Sequence, residues 1–205
     1  IRNIPVKQAT TAAQGKEALG FSSEDFLMIN QGTGINVDRG MEELFVAMTE
    51  LPERVKLLLV GKGDVLPKLR YLRTELKLQE RVQILEARPY EQLMRITASC
   101  DLGLSLDKDN NLNYRFSLPN KLFDYIRAGI PILSTELPEV SRIVRGKEVG
   151  QTIAECSPKA IAQGIREMEI KGKDPFQNAL SQASSELNWE TEVEPILACY
   201  RKLSC

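Results

Sequence analysis

The 205-residue sequence contains no histidine. That absence removes Ser/His/Asp and Cys/His nucleophilic triads, histidine-ligated zinc and imidazole acid/base catalysis together. Its four cysteines, Cys100, Cys156, Cys199 and Cys205, form no C-x-x-C pair. Neither a zinc knuckle nor a dithiol redox motif is therefore available, and reduced cytoplasmic thiols are the expectation. No apolar run nears the ~20 residues that a membrane-spanning helix needs, and no secretory signal pattern opens the chain. Charge of one sign is missing too: 27 basic against 28 acidic side chains leave a formal net charge of −1, with no electrostatic footprint for nucleic acid. Chemistry must come from carboxylates, cations, backbone dipoles or a substrate's own groups.

What is present is the composition of a soluble globular protein, 42% hydrophobic and 27% charged. The length suits one domain with a core that needs no disulfide or metal. From Phe26 onward, short apolar runs alternate with amphipathic segments, the rhythm of βα units around a parallel sheet. The predicted strands are Phe26 to Asn30, Val55 to Val60, Val82 to Leu85, Leu102 to Leu106, Ile130 to Ser134 and Gly150 to Ile153. Predicted helices are Met41 to Leu51, Val65 to Leu76, Tyr90 to Cys100, Pro119 to Ala128 and Pro138 to Arg145. After Ser157 only helical patterns follow: Pro158 to Ile170, Pro175 to Leu187 and Trp189 to Leu203. The expected architecture is α/β, a Rossmann-like parallel sheet of about six strands with helices on both faces and an all-helical C-terminal tail. Residues 1–25 read as an interdomain connector in a domain cut from a longer protein, 26–156 as the Rossmann-like unit and 157–205 as its C-terminal helices.

Open parallel sheets bind ligands beyond the carboxyl ends of their strands, so the loops after the strands are the places to look. Gln31-Gly32-Thr33-Gly34 follows the first strand and runs to Asp38-Arg39-Gly40 at a helix start. Its glycines admit a ligand close to the backbone, and Arg39 can pair with phosphate; a tight turn with a solvated arginine explains the same residues. Gly61-Lys62-Gly63-Asp64 follows the second strand. Neither loop completes G-x-G-x-x-G, since the third glycine falls on Val37 or Leu66, and no G-K-[ST] follows. Dinucleotide oxidoreductases and P-loop ATPases are thereby demoted. The most specific segment is SLPNKLFDY, Ser117 to Tyr125, ending at Ala128-Gly129. Pro119 suits the first helical position and Gly129 the C-terminal cap. Asn120, Lys121 and Asp124 then share one face, where Lys121 and the helix dipole favour a diphosphate and Asp124 can accept from vicinal hydroxyls; an ordinary i, i+3 ion pair is the alternative. After the third strand, Ala87 and Arg88 stand where they could edge a flat base. The polar stretch Asp107 to Phe116 reads as a long loop, either substrate-contacting or disordered.

Taken in order, INQGTGINVDRGMEELFVAM, LLLVGKGD, RVQILEARPYEQLMRITASCDLGLSL and SLPNKLFDYIRAGIPILSTELPEV resemble the C-terminal half of glycosyltransferase family 4 (group 1) enzymes of the GT-B fold. The resemblance covers roughly Phe26 to Ile153, and the closing Asn188-Trp189-Glu190 helix looks like that family's terminal helix. It implies the donor-binding half of an enzyme that moves a sugar from a nucleoside-diphosphate sugar to a glycan or lipid-linked acceptor, with retention and without a metal or cofactor. The partners implied are the nucleotide sugar and an N-terminal acceptor-binding domain, and the implied place is the cytoplasm or the inner face of the membrane.

The resemblance assigns Lys121 and Arg39 to the diphosphate as catalytic cations, and Gly32, Thr33, Gly34, Arg88, Pro119, Asn120 and Asp124 to donor binding. Thr33 stands where the family carries its first basic residue. The family's E-x7-E pair falls on Phe116 and Asp124, so only the carboxylate expected at the ribose is kept. By itself this half is expected to bind donor and transfer nothing. The alternatives are a nucleotide-sugar epimerase-like or phosphorylase activity, for which no carboxylate-rich cleft is evident, and a non-catalytic nucleotide-binding α/β domain. A phospho-receiver is disfavoured by Gln31-Gly32 and Glu86 at the positions that would need acidic residues and a phospho-acceptor Asp.

Overall fold

The computed structural model describes residues 4–6 and 12–203. Six strands, β1 (Phe26–Gly32), β2 (Val55–Gly61), β3 (Val82–Leu85), β4 (Leu102–Ser105), β5 (Ile132–Thr135) and β6 (Gly150–Ile153), form one sheet. Every pairing is parallel and the order is β3-β2-β1-β4-β5-β6. The helices are α1 (Met41–Met48), α2 (Leu66–Glu75), α3 (Tyr90–Ala98), α4 (Leu112–Phe116), α5 (Lys121–Ala128), α6 (Pro138–Val144), α7 (Pro158–Lys171), α8 (Gln177–Glu186) and α9 (Trp189–Leu203).

Strand side chains alternate between two apolar layers, which is why the central runs are mostly apolar rather than apolar at every second residue. Met28, Leu57 and Leu59 join α1, α2 and α7 on one face. Leu27, Ile29, Leu58 and Val60 join α3, α5, α6 and α8 on the other. The expected sheet with two covered faces is therefore what forms, and the tail helices α7 and α8 lie on opposite faces.

The chain order reverses between β1 and β4, and a crevice opens there beyond the strand ends. β1 pairs with β2 over its whole length but with β4 only at Met28–Leu102 and Ile29–Gly103. The fully buried Tyr125 of α5 fills the divergence, its hydroxyl 3.3 Å from the Ile29 carbonyl and 3.2 Å from that of Leu104. Gly103 makes room for the ring, since a Cβ there would lie 2.4 Å from it.

Most element ends shift by one to three residues from expectation, and three differences matter most here. Pro119 does not begin α5; Asn120 is the cap and Lys121 the first helical residue, because Pro119 and Asn120 form a tighter lead-in with Pro119 O bonded to Leu122 N at 3.1 Å. At the other end Gly129, φ 71°, closes the helix with the Ile130 N–H on Tyr125 O, as expected of a left-handed cap. The stretch Asp107 to Phe116, read as a loop, contains α4, nucleated by the Asn111 side chain accepting from Tyr114 N at 2.9 Å. The strand expected from Ile130 starts at Ile132.

Of the segment expected as a connector, residues 1–3 and 7–11 lie outside the described residues. In its described part, Lys16 pairs with Asp101 at 2.6 Å, Phe21 is buried, and Pro5 O accepts from Trp189 N at the start of α9. Among the described residues no helix is long and apolar enough to cross a membrane.

Candidate functional site

β1 is apolar until its end, where Asn30 and Gln31 are buried polar residues. Beyond them a cavity of about 370 Å³ opens, within the range of small-molecule sites. Gly32, Thr33 and Gly34 form one wall, and Pro119, Asn120, Lys121 and Asp124 the facing one, with Arg39 and Asn113 also lining it.

The first glycine loop is braced by the second. Lys62 N donates to Gly32 O at 3.0 Å and Ile35 N to Lys62 O at 2.9 Å. Asp64 accepts from Val37 N, and Asn36 accepts from Asp64 N. Gly61 to Asp64 thus holds the wall in place from behind. At the start of α1, Gly40 has φ 72°, and a Cβ there would sit 2.2 Å from Leu106 O. This close approach sets Arg39 beside the loop after β4.

Arg39 Nη1 donates to Asp107 Oδ2 at 2.7 Å, and its guanidinium lies 4.2 Å above the Tyr114 ring. Asp107 is 1% exposed, and its Oδ1 and Arg39 Nε have no hydrogen-bond partner among the described residues. Lys121 Nζ is 3.4 Å from Asn30 Oδ1, at the edge of hydrogen bonding. Burial pulls the Lys121 ammonium below its ordinary value; the Asp107 carboxylate opposes this and the Arg39 guanidinium adds to it. One acid thus faces two cations, which offsets their mutual repulsion.

Asp124 forms no ion pair with Lys121 among the described residues. Its Oδ2 accepts from Gln31 Nε2 at 3.0 Å and its Oδ1 from the Tyr90 hydroxyl at 2.7 Å. Burial pushes its carboxyl up, against the pull of Tyr90, Gln31 and Arg127. Gln31 is in turn held by the Thr97 hydroxyl, which donates to its Oε1 at 2.5 Å and lies 2.8 Å from Leu93 O. The Asn120 side chain makes no capping hydrogen bond, and Pro119, Asn120 and Lys121 set the N-terminal end of α5 in the cavity wall, where the helix dipole favours negative charge.

Eight of the nine residues singled out from sequence, Gly32, Thr33, Gly34, Arg39, Pro119, Asn120, Lys121 and Asp124, line this one cavity. Arg88 is exposed and outside this lining, two residues before Tyr90, whose hydroxyl reaches Asp124. Sequence reasoning missed Asn30, Asp107 and Tyr90. Asn30 carried a usable signal, a polar residue ending an apolar strand, and so did Asp107, which directly follows the β4 run.

The described chain is similar to several solved structures. WaaG, a glycosyltransferase involved in lipopolysaccharide biosynthesis, is 17% identical with a TM-score of 0.70, over 95% of this chain and 54% of that one. Anabaena Alr3699/HepE in complex with UDP is 22% identical with a TM-score of 0.73, over 91% and 51%. Sucrose-phosphate synthase from Thermosynechococcus elongatus is 18% identical with a TM-score of 0.76, over 97% and 49%. This chain spans about half the length of each, and at such identities the likeness shows the fold, one half of the GT-B architecture. No curated protein matches the sequence significantly. The family model described as glycosyl transferases group 1 matches residues 16–186, and the chain belongs to that family.

Proposed function

We propose that this chain is the donor-binding half of a glycosyltransferase that moves a sugar from a nucleoside-diphosphate sugar to a glycan or lipid-linked acceptor. One observation carries the reading: Arg39, Lys121 and the N-terminal end of α5 line one cavity with the glycine loop Gly32-Thr33-Gly34. When the bond between sugar and diphosphate breaks, its electron pair stays on the diphosphate. Two fixed cations and a helix end aimed there stabilise that charge best as it develops. Asp124, one helical turn deeper, takes the ribose hydroxyls. The fold is consistent with a cleft completed by an N-terminal acceptor domain, so the chain alone binds donor and transfers nothing. Transfer with retention and without a metal belongs to the same proposal, as does a cytoplasmic site of action, peripheral to the inner membrane where the acceptor is lipid-linked.

Calorimetric titration with UDP, GDP and ADP tests it. Heat with at least one of them, lost in Lys121→Ala and in Asp124→Ala, supports the site; binding unchanged in both variants overturns it.

A further inference from the structure

Asp124 meets the cavity with each carboxylate oxygen holding one hydrogen bond from the protein, Oδ1 from Tyr90 and Oδ2 from Gln31. Each oxygen has two lone-pair sites, so one on each stays open, the arrangement that a vicinal diol matches. The two protein donors differ. Gln31 is 3% exposed, and its Oε1 accepts from the Thr97 hydroxyl. Tyr90, the first residue of α3, is 42% exposed, so burial of its ring does not explain where its hydroxyl points. The hydroxyl is nevertheless 2.7 Å from the carboxylate, and Arg127 Nη1 lies 3.4 Å from the same oxygen. The bond ties the end of the β3–α3 loop to α5 across the mouth of the site.

We infer that Tyr90 is a positioning residue for donor recognition: its O–H sets the plane of the Asp124 carboxylate so that the open lone pairs face the two hydroxyls of a ribose. The inference rests on the reading of the cavity as a nucleotide-sugar site. It places a determinant of ribose over deoxyribose on α3, a helix that contributes only Leu93 to the cavity lining. The groups facing Asp124 are Tyr90 from α3, Gln31 from β1, and Arg127 and the neutral Tyr125 from its own helix. Only the first is altered by the substitution below.

The test titrates UDP, GDP and ADP, and their 2′-deoxy counterparts, into the wild-type chain and into Tyr90→Phe, with thermal melting as a folding control. The ribonucleotide that binds wild type is expected to lose about five- to tenfold in affinity, the net worth of one ordinary hydrogen bond because Tyr90 acts through Asp124, and its deoxy counterpart about twofold or less. The acid-side midpoint of ribonucleotide binding is expected to move to higher pH, because the lost O–H favoured the ionised carboxylate. A purely structural tyrosine would weaken both nucleotide series alike and leave that midpoint in place, which overturns the inference. Tighter binding by Tyr90→Phe overturns it as well, since the hydroxyl would then be occupying the sugar's place. If wild type binds none of the three nucleotides, the donor-site reading itself fails, a result distinct from either of these.

Discussion

Replacing Tyr125 by Phe tests why the sheet opens where it does. β1 and β4 part after Ile29–Gly103, and the Tyr125 hydroxyl reaches the carbonyls of Ile29 and Leu104 at 3.3 and 3.2 Å. Phe keeps the ring, so no cavity forms and apolar burial is unchanged. What disappears is one hydroxyl among buried backbone groups, a loss of about 1–3 kcal/mol. For a chain of this length that is roughly 2–4 °C in Tm per kcal/mol. Burial holds the phenol well above its usual value, so it is neutral in the folded chain, and below about pH 9 it is neutral in the unfolded chain too. The loss is therefore expected to be the same at pH 6 and pH 8. Urea unfolding measures it as a lower midpoint at unchanged m. A loss under about 0.5 kcal/mol would refute the idea that the hydroxyl, rather than the ring, seals the split, on the usual scale for removing a buried donor.

Two further outcomes follow from the site. Diphosphate favours the charged form of Lys121, whose pKa lies below the ordinary lysine value, so binding raises that pKa and takes up a proton on the alkaline side. Affinity is expected to fall as pH rises through the free-state value, and the difference in pH profile between wild type and Lys121→Met isolates this from titration of the base; identical slopes would contradict it. Gly40→Ala forces a Cβ to within 2.2 Å of Leu106 O at φ 72°. It is expected to cost about 2 kcal/mol or more in urea unfolding, from the left-handed backbone and the clash together, and to weaken nucleotide binding by shifting Arg39.

The strands were legible because both faces of the sheet are covered, which writes nearly continuous apolar runs such as FLMIN and VKLLLV into the chain. The loops that build the cavity were legible for a related reason, since they follow those runs. The helix α4 was not: five residues give no apolar period, and its start depends on one Asn111 side chain. Nor were the partners of the site residues. Gln31 meets Asp124 across 93 positions, and Tyr90 meets it across 34. No local pattern encodes such pairs, because the topology and not the spacing brings them together.

Thr97 carries a single hydroxyl hydrogen and faces two acceptors, Gln31 Oε1 and Leu93 O. While Asp124 is an anion, the Gln31 amide must turn its NH2 outward, and the hydrogen of Thr97 is drawn to the amide oxygen. A proton landing on Asp124 reverses the requirement: the amide can rotate, offer its oxygen to the new acid and its NH2 to Thr97, and release the threonine hydrogen to the helix carbonyl. Three side chains thus admit two complete and mutually exclusive wiring schemes, through which a proton on the Asp124 carboxylate would alter the bonding of the fully buried Thr97 without any backbone having to move.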